Sequence, residues 1–284
     1  MYSLSLIMFE RSENVERVRE IEKSIIKKYR KQIWSKFIKA IKEYQLVKEN
    51  DRIAVCISGG KDSMLLAKCL EELKRHWQFK FDLEYIVMNP GYSDETMNKI
   101  RENLDILKIK ATIFDSNIFE ASTTMDSENP CYMCARMRRG ALYNKAKELG
   151  CNKIALGHHF NDVIETVMLN LLFNGLFSSM MPKVHSEHFE GMELIRPLYF
   201  VREEDIISWS KYNDLTFIGC ACSVTKRQAG KRKVVKDLIV KLKEIYPQAD
   251  LNILKASSNI NLNTILSYRK GDKKYNFLDE YDNN

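Results

Sequence analysis

The sequence predicts an α/β protein: a parallel, twisted sheet of about five strands with helices on both faces, and helical extensions at both ends. Three observations predict this class. Short apolar runs alternate with segments of helical spacing, which is typical of strand–helix–strand units. Glycines follow two of the apolar runs, at 59–60 and at 157, where a strand would turn into a helix. The 284 residues are 45% hydrophobic, which is enough for one sizeable core.

The first segment, 10–50, predicts a helix. Its apolar side chains recur every three or four positions, at Val18, Ile21, Ile25, Tyr29, Ile33, Phe37 and Ile41. Its opposite face is basic, with eight Lys or Arg and no acid between Lys23 and Lys42. Such a face is either an ordinary solvated surface or a contact surface for nucleic-acid phosphates.

The alternating elements follow in order. Strands are expected over residues 52–58, 81–88, 110–114, 153–156 and 193–198. Helices are expected over 62–76, 96–107, 136–149 and 161–173. We therefore predict a basic helical extension over 1–50 and an α/β domain over 51–215. A helical segment with two late cysteines, a basic helix and a polar tail that frays from residue 271 follows over 216–284.

Composition excludes several classes. No run approaches the ~18 uninterrupted apolar residues of a membrane span. The N-terminal stretch lacks the basic region of a signal peptide, so we expect a mature, cytoplasmic chain with no membrane partner. Seven cysteines in such a chain do not predict a disulfide framework. Lys and Arg number 45 against 38 Asp and Glu, a net charge of +7 that could by itself reflect solubility.

A glycine-rich loop follows the first predicted strand and opens a helix. It consists of Ser58, Gly59, Gly60, Lys61, Asp62 and Ser63. Two glycines let backbone amides converge on an anion, and the helix N-terminus favours negative charge. The hydroxyls and the Lys61 ammonium add donors. The pattern is neither GxxxxGK[ST] nor GxGxxG, so it predicts a phosphate site of another kind. The alternative is a tight turn without a ligand.

A second polar motif follows the fourth predicted strand. It consists of Gly157, His158, His159, Phe160, Asn161 and Asp162. The carboxyl ends of parallel strands share one edge, so this motif is expected beside the glycine-rich loop. His158 and Asp162 are candidate contacts for a bound nucleotide or Mg²⁺, because a carboxylate is a suitable hard ligand. Asn161 or Asp162 would also cap the next helix, which is compatible with metal binding.

Four of the seven cysteines form two sequence pairs, Cys131 with Cys134 and Cys220 with Cys222. Cysteines separated by two residues place two sulfurs together, which suits a metal or a redox pair. The following Arg138 and Arg139 would stabilise thiolates and attract phosphate. A tetrahedral zinc site and a disulfide-exchange pair are both open on these grounds. Cys56 and Cys69 are interpreted as small buried hydrophobes.

These motifs together resemble a known family. The SGGKDS loop is similar to the signature loop of the ATP pyrophosphatases, or PP-loop enzymes. Combined with the CxxC motif, its arginines, the GHHxxD motif and a late cysteine, it resembles the tRNA 2-thiocytidine synthetases. The segments Ile195-Arg196-Pro197-Leu198 and Met181-Pro182-Lys183 also match that family. The likeness runs from about Lys36 to about Tyr246.

The resemblance implies an enzyme that adenylates the C2 carbonyl of a tRNA cytidine, at anticodon-loop position 32, and replaces the oxygen with sulfur. ATP and Mg²⁺ would be bound by the loop 58–63, by Met88 near the adenine, and by Gly157, His158 and Asp162. The implied catalytic residues are Lys61, Asp62, Arg138 and Arg139. A [4Fe-4S] cluster would be held by Cys131, Cys134 and one late cysteine. A cysteine desulfurase or free sulfide would supply the sulfur.

The chain departs from the family at two places. The family has a late C-x-x-C pair, whereas only one residue separates Cys220 from Cys222. Cys222 is favoured as the third ligand by its distance to the following basic segment, and Cys220 stays open. The family often has Asp-Asp after His-His, whereas this chain has Asn161 and Asp162. Asn161 cannot supply charge to Mg²⁺, so one metal contact would be neutral or lost.

A second basic segment supports an RNA partner. Between Lys226 and Lys243 there are eight Lys or Arg and one acid, Asp237. Two basic segments flanking the α/β domain predict tRNA binding, because the phosphate backbone dominates affinity for RNA. A homodimer is left open. The alternatives are a related PP-loop sulfurtransferase acting on uridine or a small molecule, and an ATP- or RNA-binding protein with a structural zinc.

Overall fold

A computed structural model describes residues 15–116, 118, 130–219 and 225–281. It contains a six-stranded sheet in the order β3-β2-β1-β4-β6-β5. The strands are β1 Arg52–Ile57, β2 Asp82–Asn89, β3 Ala111–Asp115, β4 Lys153–Ala155, β5 Lys183–His185 and β6 Glu193–Ile195. Every pair is parallel except β5 with β6. The predicted α/β class with a parallel sheet is confirmed.

The edge strand β5 is the one strand of this sheet that the sequence did not predict. It has only three residues, and two of them, Val184 and His185, are exposed. An edge strand with one neighbour needs no apolar run, so hydrophobic periodicity could not find it. Its backbone is nevertheless paired with β6 in register, from Lys183 opposite Ile195 to His185 opposite Glu193.

Helices cover the sheet and extend the chain at both ends. They are α1 over residues 15–26, α2 Ser35–Glu43, α3 Lys61–His76, α4 Asp94–Ile106, α5 Pro130–Glu148, α6 Phe160–Asn174, α7 Glu203–Tyr212, α8 Thr225–Ile245, α9 Ala249–Ala256 and α10 Leu278–Tyr281. Within the described ranges, no helix is long and apolar enough to cross a membrane.

The chain divides into two compact units. One comprises Met1–Val163 and Met180–Arg232, and contains the six-stranded sheet. The other comprises Ile164–Ser179 and Lys233–Asn284. Within the second unit, β7 Ser267–Lys270 and β8 Lys273–Asn276 form a hairpin, and its second strand lies in the segment from residue 271 that the sequence predicted to be frayed. The rings of Tyr268 and Tyr275 stack across it at 4.8 Å, a cross-strand pair that stabilises a short hairpin.

The N-terminal segment is helical but not one continuous α-helix. Between α1 and α2, residues Arg30–Trp34 form a wider π-helical turn. The amide of Tyr29 donates to the carbonyl of Ser24, and that of Trp34 to the carbonyl of Tyr29, both five residues back. The apolar positions from Ile21 to Ile41 recur every four residues, more than the 3.6 of an α-helix. The wide turn absorbs the excess residue, so that all seven predicted apolar side chains are buried.

The centre of the sheet is dry. Every residue of β1 after Arg52 is buried, and so are Ile86 and Val87 of β2 and all of β4. Such strands, buried on both faces, read as continuous apolar runs, which is why the sequence revealed them. Cys56 and Cys69 lie in this core, as predicted, and burial raises the pKa of the Cys56 thiol to about 12.

A buried ion-pair cluster joins three strands at the amino edge of the sheet. The Lys153 ammonium lies 2.9 Å from a carboxylate oxygen of Asp51 and 3.0 Å from one of Glu193. It also donates to the carbonyl of Leu46 at 2.9 Å. The three charged side chains are at most 9% exposed. Because these charges are desolvated, each needs its partner.

Replacing Lys153 should therefore destabilise the fold. We expect Lys153→Met to lower the free energy of unfolding by about 3–5 kcal/mol, because two carboxylates are left buried without a counter-charge. Lys74→Met is the matched control: Lys74 pairs with Asp82 at 2.8 Å on the exposed surface. It should change stability by less than about 1 kcal/mol. Urea denaturation measures the free energy of unfolding of both variants. Equal losses in the two would contradict a larger stabilising role for the buried ion pairs of Lys153.

Candidate active site

The two polar motifs meet at the point where the strand order reverses. The chain builds β2 and β3 on one side of β1, then returns to add β4 and β6 on the other side. The crevice between the carboxyl ends of β1 and β4 is therefore a topological switch point, where open parallel sheets bind ligands. Ser58 follows β1 directly, and residues 156–159 follow β4. The predicted co-location of the two motifs is thus explained by topology.

The glycine-rich loop has the geometry of an anion cradle. Gly59 has a φ of +82°, in the left-handed region, and Gly60 is the N-cap of α3. Ser63 closes the loop: its hydroxyl donates to the carbonyl of Gly60 at 2.9 Å and accepts from the amide of Ser58 at 3.2 Å. No side chain caps α3, so its first amides face the loop with the positive end of the helix dipole.

Gly157 brings the second motif against the first turn of α3. A Cβ atom at Gly157 would lie 3.0 Å from the amide nitrogen of Ser63 and 3.1 Å from the carbonyl carbon of Asp62. These are backbone atoms and cannot move aside as a flexible side chain would. A Cβ atom here would fit only if the backbone of the phosphate loop moved by a few tenths of an ångström.

Ionisable side chains converge at this junction. The Lys61 ammonium lies 3.3 Å from Asp62 and 3.1 Å from Glu203, the first residue of α7. The imidazole of His159 lies between two carboxylates, 3.7 Å from Asp62 and 3.5 Å from Asp162. Burial raises the pKa of Asp62 above its usual value, although His159 and Lys61 act against it. One oxygen of Asp62, Oδ1, is buried and has no hydrogen bond within the described residues.

The residues present fit ATP and Mg²⁺. The cradle offers amides, hydroxyls and Lys61 to phosphate oxygens, while Asp62 and Asp162 offer carboxylate oxygens to a hard cation. Asp162 also accepts from the amide of His159 at 3.0 Å and lies 3.4 Å from Arg232. Burial lowers the pKa of His158 to about 4, so its imidazole is neutral at neutral pH and can act as a hydrogen-bonding group.

Asn161, the departure noted in the sequence, has a structural contact. Its side-chain oxygen accepts from the backbone amide of Glu203 at 3.0 Å. This bond ties the start of α6 to the start of α7. Since an amide oxygen accepts as well as a carboxylate oxygen does, the contact needs no negative charge. The carboxylates of Asp62 and Asp162 are then the negative charges that this rim offers to a metal.

The end of β2 contributes the next part of the rim. Met88 is buried at 5% exposure, and Asn89 shapes the turn that follows. The Asn89 side chain accepts from the amides of Gly91 and Tyr92 and donates to Asp115 at the end of β3. Met88 therefore lies at the predicted edge of the sheet, one strand away from the phosphate loop.

Helix α5 carries the first cysteine pair and the arginines. Positions 131, 134 and 138 are three and four residues apart, so they share one face of the helix. The Cys134 side chain is half-buried, and Arg138 donates to the hydroxyl of Tyr92 at 3.5 Å. Arg139 is exposed. The helical spacing at 131 and 134 is compatible with two ligands to one cluster.

The side chains of the other cysteines in the two sequence pairs are outside what the structure describes. Cys220 and Cys222 lie outside the described residues, and so does the side chain of Cys131. Within the part of the chain that the structure describes, no group of three or more His, Cys, Asp or Glu could hold a metal ion. The choice between Cys222 and Cys220 as the third ligand stays a prediction.

Three further side chains at this rim were not singled out from the sequence. Glu203 and Arg232 pair with Lys61 and Asp162, respectively. Arg196 follows β6, and its guanidinium donates to the carbonyl of Met181 while its backbone amide donates to that of Pro182. Burial and the charge of Arg139 lower the pKa of Arg196 to about 10. The Ile195–Leu198 and Met181–Lys183 segments were the available signal, since they meet here.

Taken together, these features define a nucleotide-binding α/β protein whose phosphate loop lies at the switch point of its sheet. The PP-loop domain family matches residues 29–238. A tRNA-cytidine(32) 2-sulfurtransferase from Geobacter metallireducens is 36% identical over 82% of this chain and 91% of that protein. The protein of the same name from Pelobacter propionicus is 36% identical over 78% of this chain and 83% of that protein.

The chain therefore belongs to the PP-loop family and, within it, to the family of the tRNA-cytidine(32) 2-sulfurtransferases. The resemblance predicted from the motifs is confirmed. A solved structure is also similar: the U34-tRNA thiolase NcsA from Methanococcus maripaludis with its [4Fe-4S] cluster. It has a TM-score of 0.61 at 23% identity, over 79% of this chain and 76% of that chain. This likeness supports the fold.

The contact at Gly157 gives a direct test of the site. We expect Gly157→Ala to introduce about 1–3 kcal/mol of strain against the first turn of α3. This strain displaces the loop and is subtracted from the free energy of ATP binding, so the affinity for ATP falls about tenfold for each 1.4 kcal/mol. Gly230→Ala is the control, because a Cβ atom there meets nothing within 4 Å. Calorimetric titration with ATP and Mg²⁺ measures both, and unchanged ATP affinity in Gly157→Ala would contradict the geometry.

Proposed function

We propose that this chain is an ATP-dependent tRNA sulfurtransferase that replaces the C2 oxygen of cytidine 32 with sulfur. The observation that carries the proposal is the junction of the SGGKDS loop with Gly157 and Asp162 at the sheet's switch point. This junction places a phosphate-binding loop and carboxylate side chains around one ligand site. The names of the relatives, at 36% identity over most of the chain, support the substrate and the sulfur chemistry.

In this proposal, the loop residues and Lys61 bind the pyrophosphate end of ATP. Lys61 is suited to this role because Asp62 and Glu203 hold its ammonium at the loop. Asp162, with Asp62, binds Mg²⁺, and neutral His158 donates to or accepts from the nucleotide. Met88 lies where the adenine would be bound. These groups orient the α-phosphate toward the RNA and stabilise the charge that develops on the leaving pyrophosphate.

The target base would approach from the side of α5. The C2 oxygen of the cytidine attacks the α-phosphate, the α–β bond breaks, and pyrophosphate leaves. Arg138 and Arg139 offset negative charge on the adenylated base, and the later departure of AMP removes the original oxygen. Cys131, Cys134 and Cys222 would hold the [4Fe-4S] cluster, which supplies the sulfur when it is bound. A cysteine desulfurase or sulfide as sulfur source, and a homodimer, stay predictions.

The substrate assignment is tested on tRNA nucleosides from a deletion strain. Mass spectrometry should show that 2-thiocytidine is lost in the strain and restored by the wild-type gene. A Cys134→Ala gene should restore about 10- to 100-fold less of it, since in this proposal Cys134 holds the cluster that supplies the sulfur. The control is Cys151→Ala: this thiol is buried in the core, and burial raises its pKa to about 11.

The outcomes separate the alternatives. Unchanged 2-thiocytidine in the deletion strain would remove the cytidine assignment. Loss of a thiolated uridine instead would favour the related PP-loop sulfurtransferase. Full restoration by Cys134→Ala would show that the cysteine pair has no role in the reaction.

The identity of the metal is tested by anaerobic purification with iron, sulfide and zinc analysis. We expect about four iron atoms per chain and a broad visible absorbance near 400 nm. Separate Cys220→Ala and Cys222→Ala variants should differ, with only the Cys222 change losing the cluster. A colourless protein with one zinc would contradict the cluster and favour a structural zinc site.

A further inference from the structure

A second concave surface lies away from the phosphate loop, between α1 and α7. It encloses about 630 Å³ and is lined on one side by Arg17, Lys23, Lys27 and Lys28, and on the other by Tyr212. We call these five residues the cationic groove. Two carboxylates, Glu20 and Asp214, also line the cavity, so the basic side chains outnumber the acidic ones by four to two.

The four basic side chains of this groove are exposed to solvent. Lys23, Lys27 and Lys28 are exposed, and none of them has an ion pair within the residues that the structure describes. Glu22, the buried acid of α1, forms its ion pairs with Lys68 and Arg75 and not with these lysines. A cluster of exposed, unpaired cations in a concavity attracts a polyanion.

The groove is held in a fixed shape. The Lys28 ammonium lies 3.4 Å above the centre of the Tyr212 ring, a cation–π contact that positions the charge. Behind it, the hydroxyl of Tyr29 donates to the carbonyl of Ser208 at 2.9 Å. Asn213 donates to the hydroxyl of Ser24 at 3.1 Å. These two half-buried hydrogen bonds join one wall of the groove to the other and so fix its shape.

The wide turn of the N-terminal segment extends the basic surface. Because the α-helical repeat is interrupted there, Arg30 and Lys31 are exposed directly after Lys27 and Lys28, while Tyr29 between them is buried.

Helix α7 connects the groove to the phosphate loop. Successive residues of α7 contact the N-terminal segment and then the loop: Tyr212 with Lys28, Ser208 with Tyr29, Asp205 with Lys36, and Glu203 with Lys61. From Tyr212 to Glu203 is nine residues of helix, or about 14 Å. A polyanion in the groove would thus run toward the site that binds the nucleotide.

We propose that the cationic groove binds the phosphate backbone of the substrate tRNA next to the nucleotide that is modified. This inference rests on the proposed function for the identity of the RNA. The occupant follows from charge complementarity and from the distance: an RNA strand whose base reaches the phosphate loop has further phosphates about 14 Å away along α7. The groove positions the RNA and contributes no group to the chemistry.

The test measures binding of unmodified tRNA to the full chain by fluorescence anisotropy at several salt concentrations. We expect Lys27→Ala/Lys28→Ala to raise the Kd about tenfold and to reduce the slope of log Kd against log salt by about 2, one for each lost phosphate contact. Tyr212→Ala should reproduce part of the loss, because Lys28 loses its support, and Tyr212→Phe should restore binding. ATP affinity should not change.

The control is Lys108→Ala/Lys110→Ala, which removes two exposed lysines just before β3 that do not line the groove. It should leave the Kd and the salt slope unchanged. An unchanged Kd in Lys27→Ala/Lys28→Ala, or an equal loss in the control, overturns the inference. If the wild-type chain binds tRNA through the groove but forms no 2-thiocytidine, the proposed function fails and the groove stands.

Discussion

The close approach of the β4 loop to the first turn of α3 is the constraint on which the site depends. Gly157 lies so close to the backbone of Asp62 and Ser63 that a Cβ atom would be 3.0 Å from the amide nitrogen of Ser63. This contact brings the polar side chains of the two motifs close together. Lys61 and Asp62 extend from one side of it, and Asp162 from the other. The topology brings the two loops to one edge, and the glycine allows them to touch.

The junction also brings several ionisable side chains of both signs close together. Within it, Lys61 faces the carboxylates of Asp62 and Glu203, and His159 lies between those of Asp62 and Asp162. Each charge has a partner of opposite sign close by, which offsets the cost of partial burial. A triphosphate and its cation add charges of both signs, so they can be bound by rearranging these partners rather than by creating a new pocket. In the proposed function, the buried Oδ1 of Asp62, which accepts no hydrogen bond within the described residues, would accept the cation.

Much of this was predictable from the sequence, for identifiable reasons. The central strands are buried on both faces and are read as apolar runs, and a glycine pair after a strand indicates a phosphate loop. Contacts between distant segments were not predictable. Glu203 beside Lys61 is one such contact, and the two carbonyls that bind Arg196 are another, because nothing local marks them. The π-helical turn was readable in principle, since apolar residues that recur every four positions exceed the α-helical repeat.

The lysines of the chain fall into three groups that differ in burial, in ion pairing and in role. Lys68 and Lys153 are buried and paired, and they stabilise the fold. Lys61 is half-buried at the phosphate loop. Lys27 and Lys28 are exposed and unpaired in the described residues, and they are available to RNA. The net charge of +7 therefore understates how strongly basic the N-terminal surface is.

In the proposed reaction, the loop junction binds ATP, and its adenylyl group is transferred to the tRNA. The stoichiometry of one anaerobic reaction with tRNA, ATP, Mg²⁺ and sulfide tests this step, with AMP, pyrophosphate and 2-thiocytidine all quantified. We expect one AMP and one pyrophosphate for each 2-thiocytidine formed. Formation of ADP and inorganic phosphate together with 2-thiocytidine would contradict it, because the bond broken would then be β–γ rather than α–β.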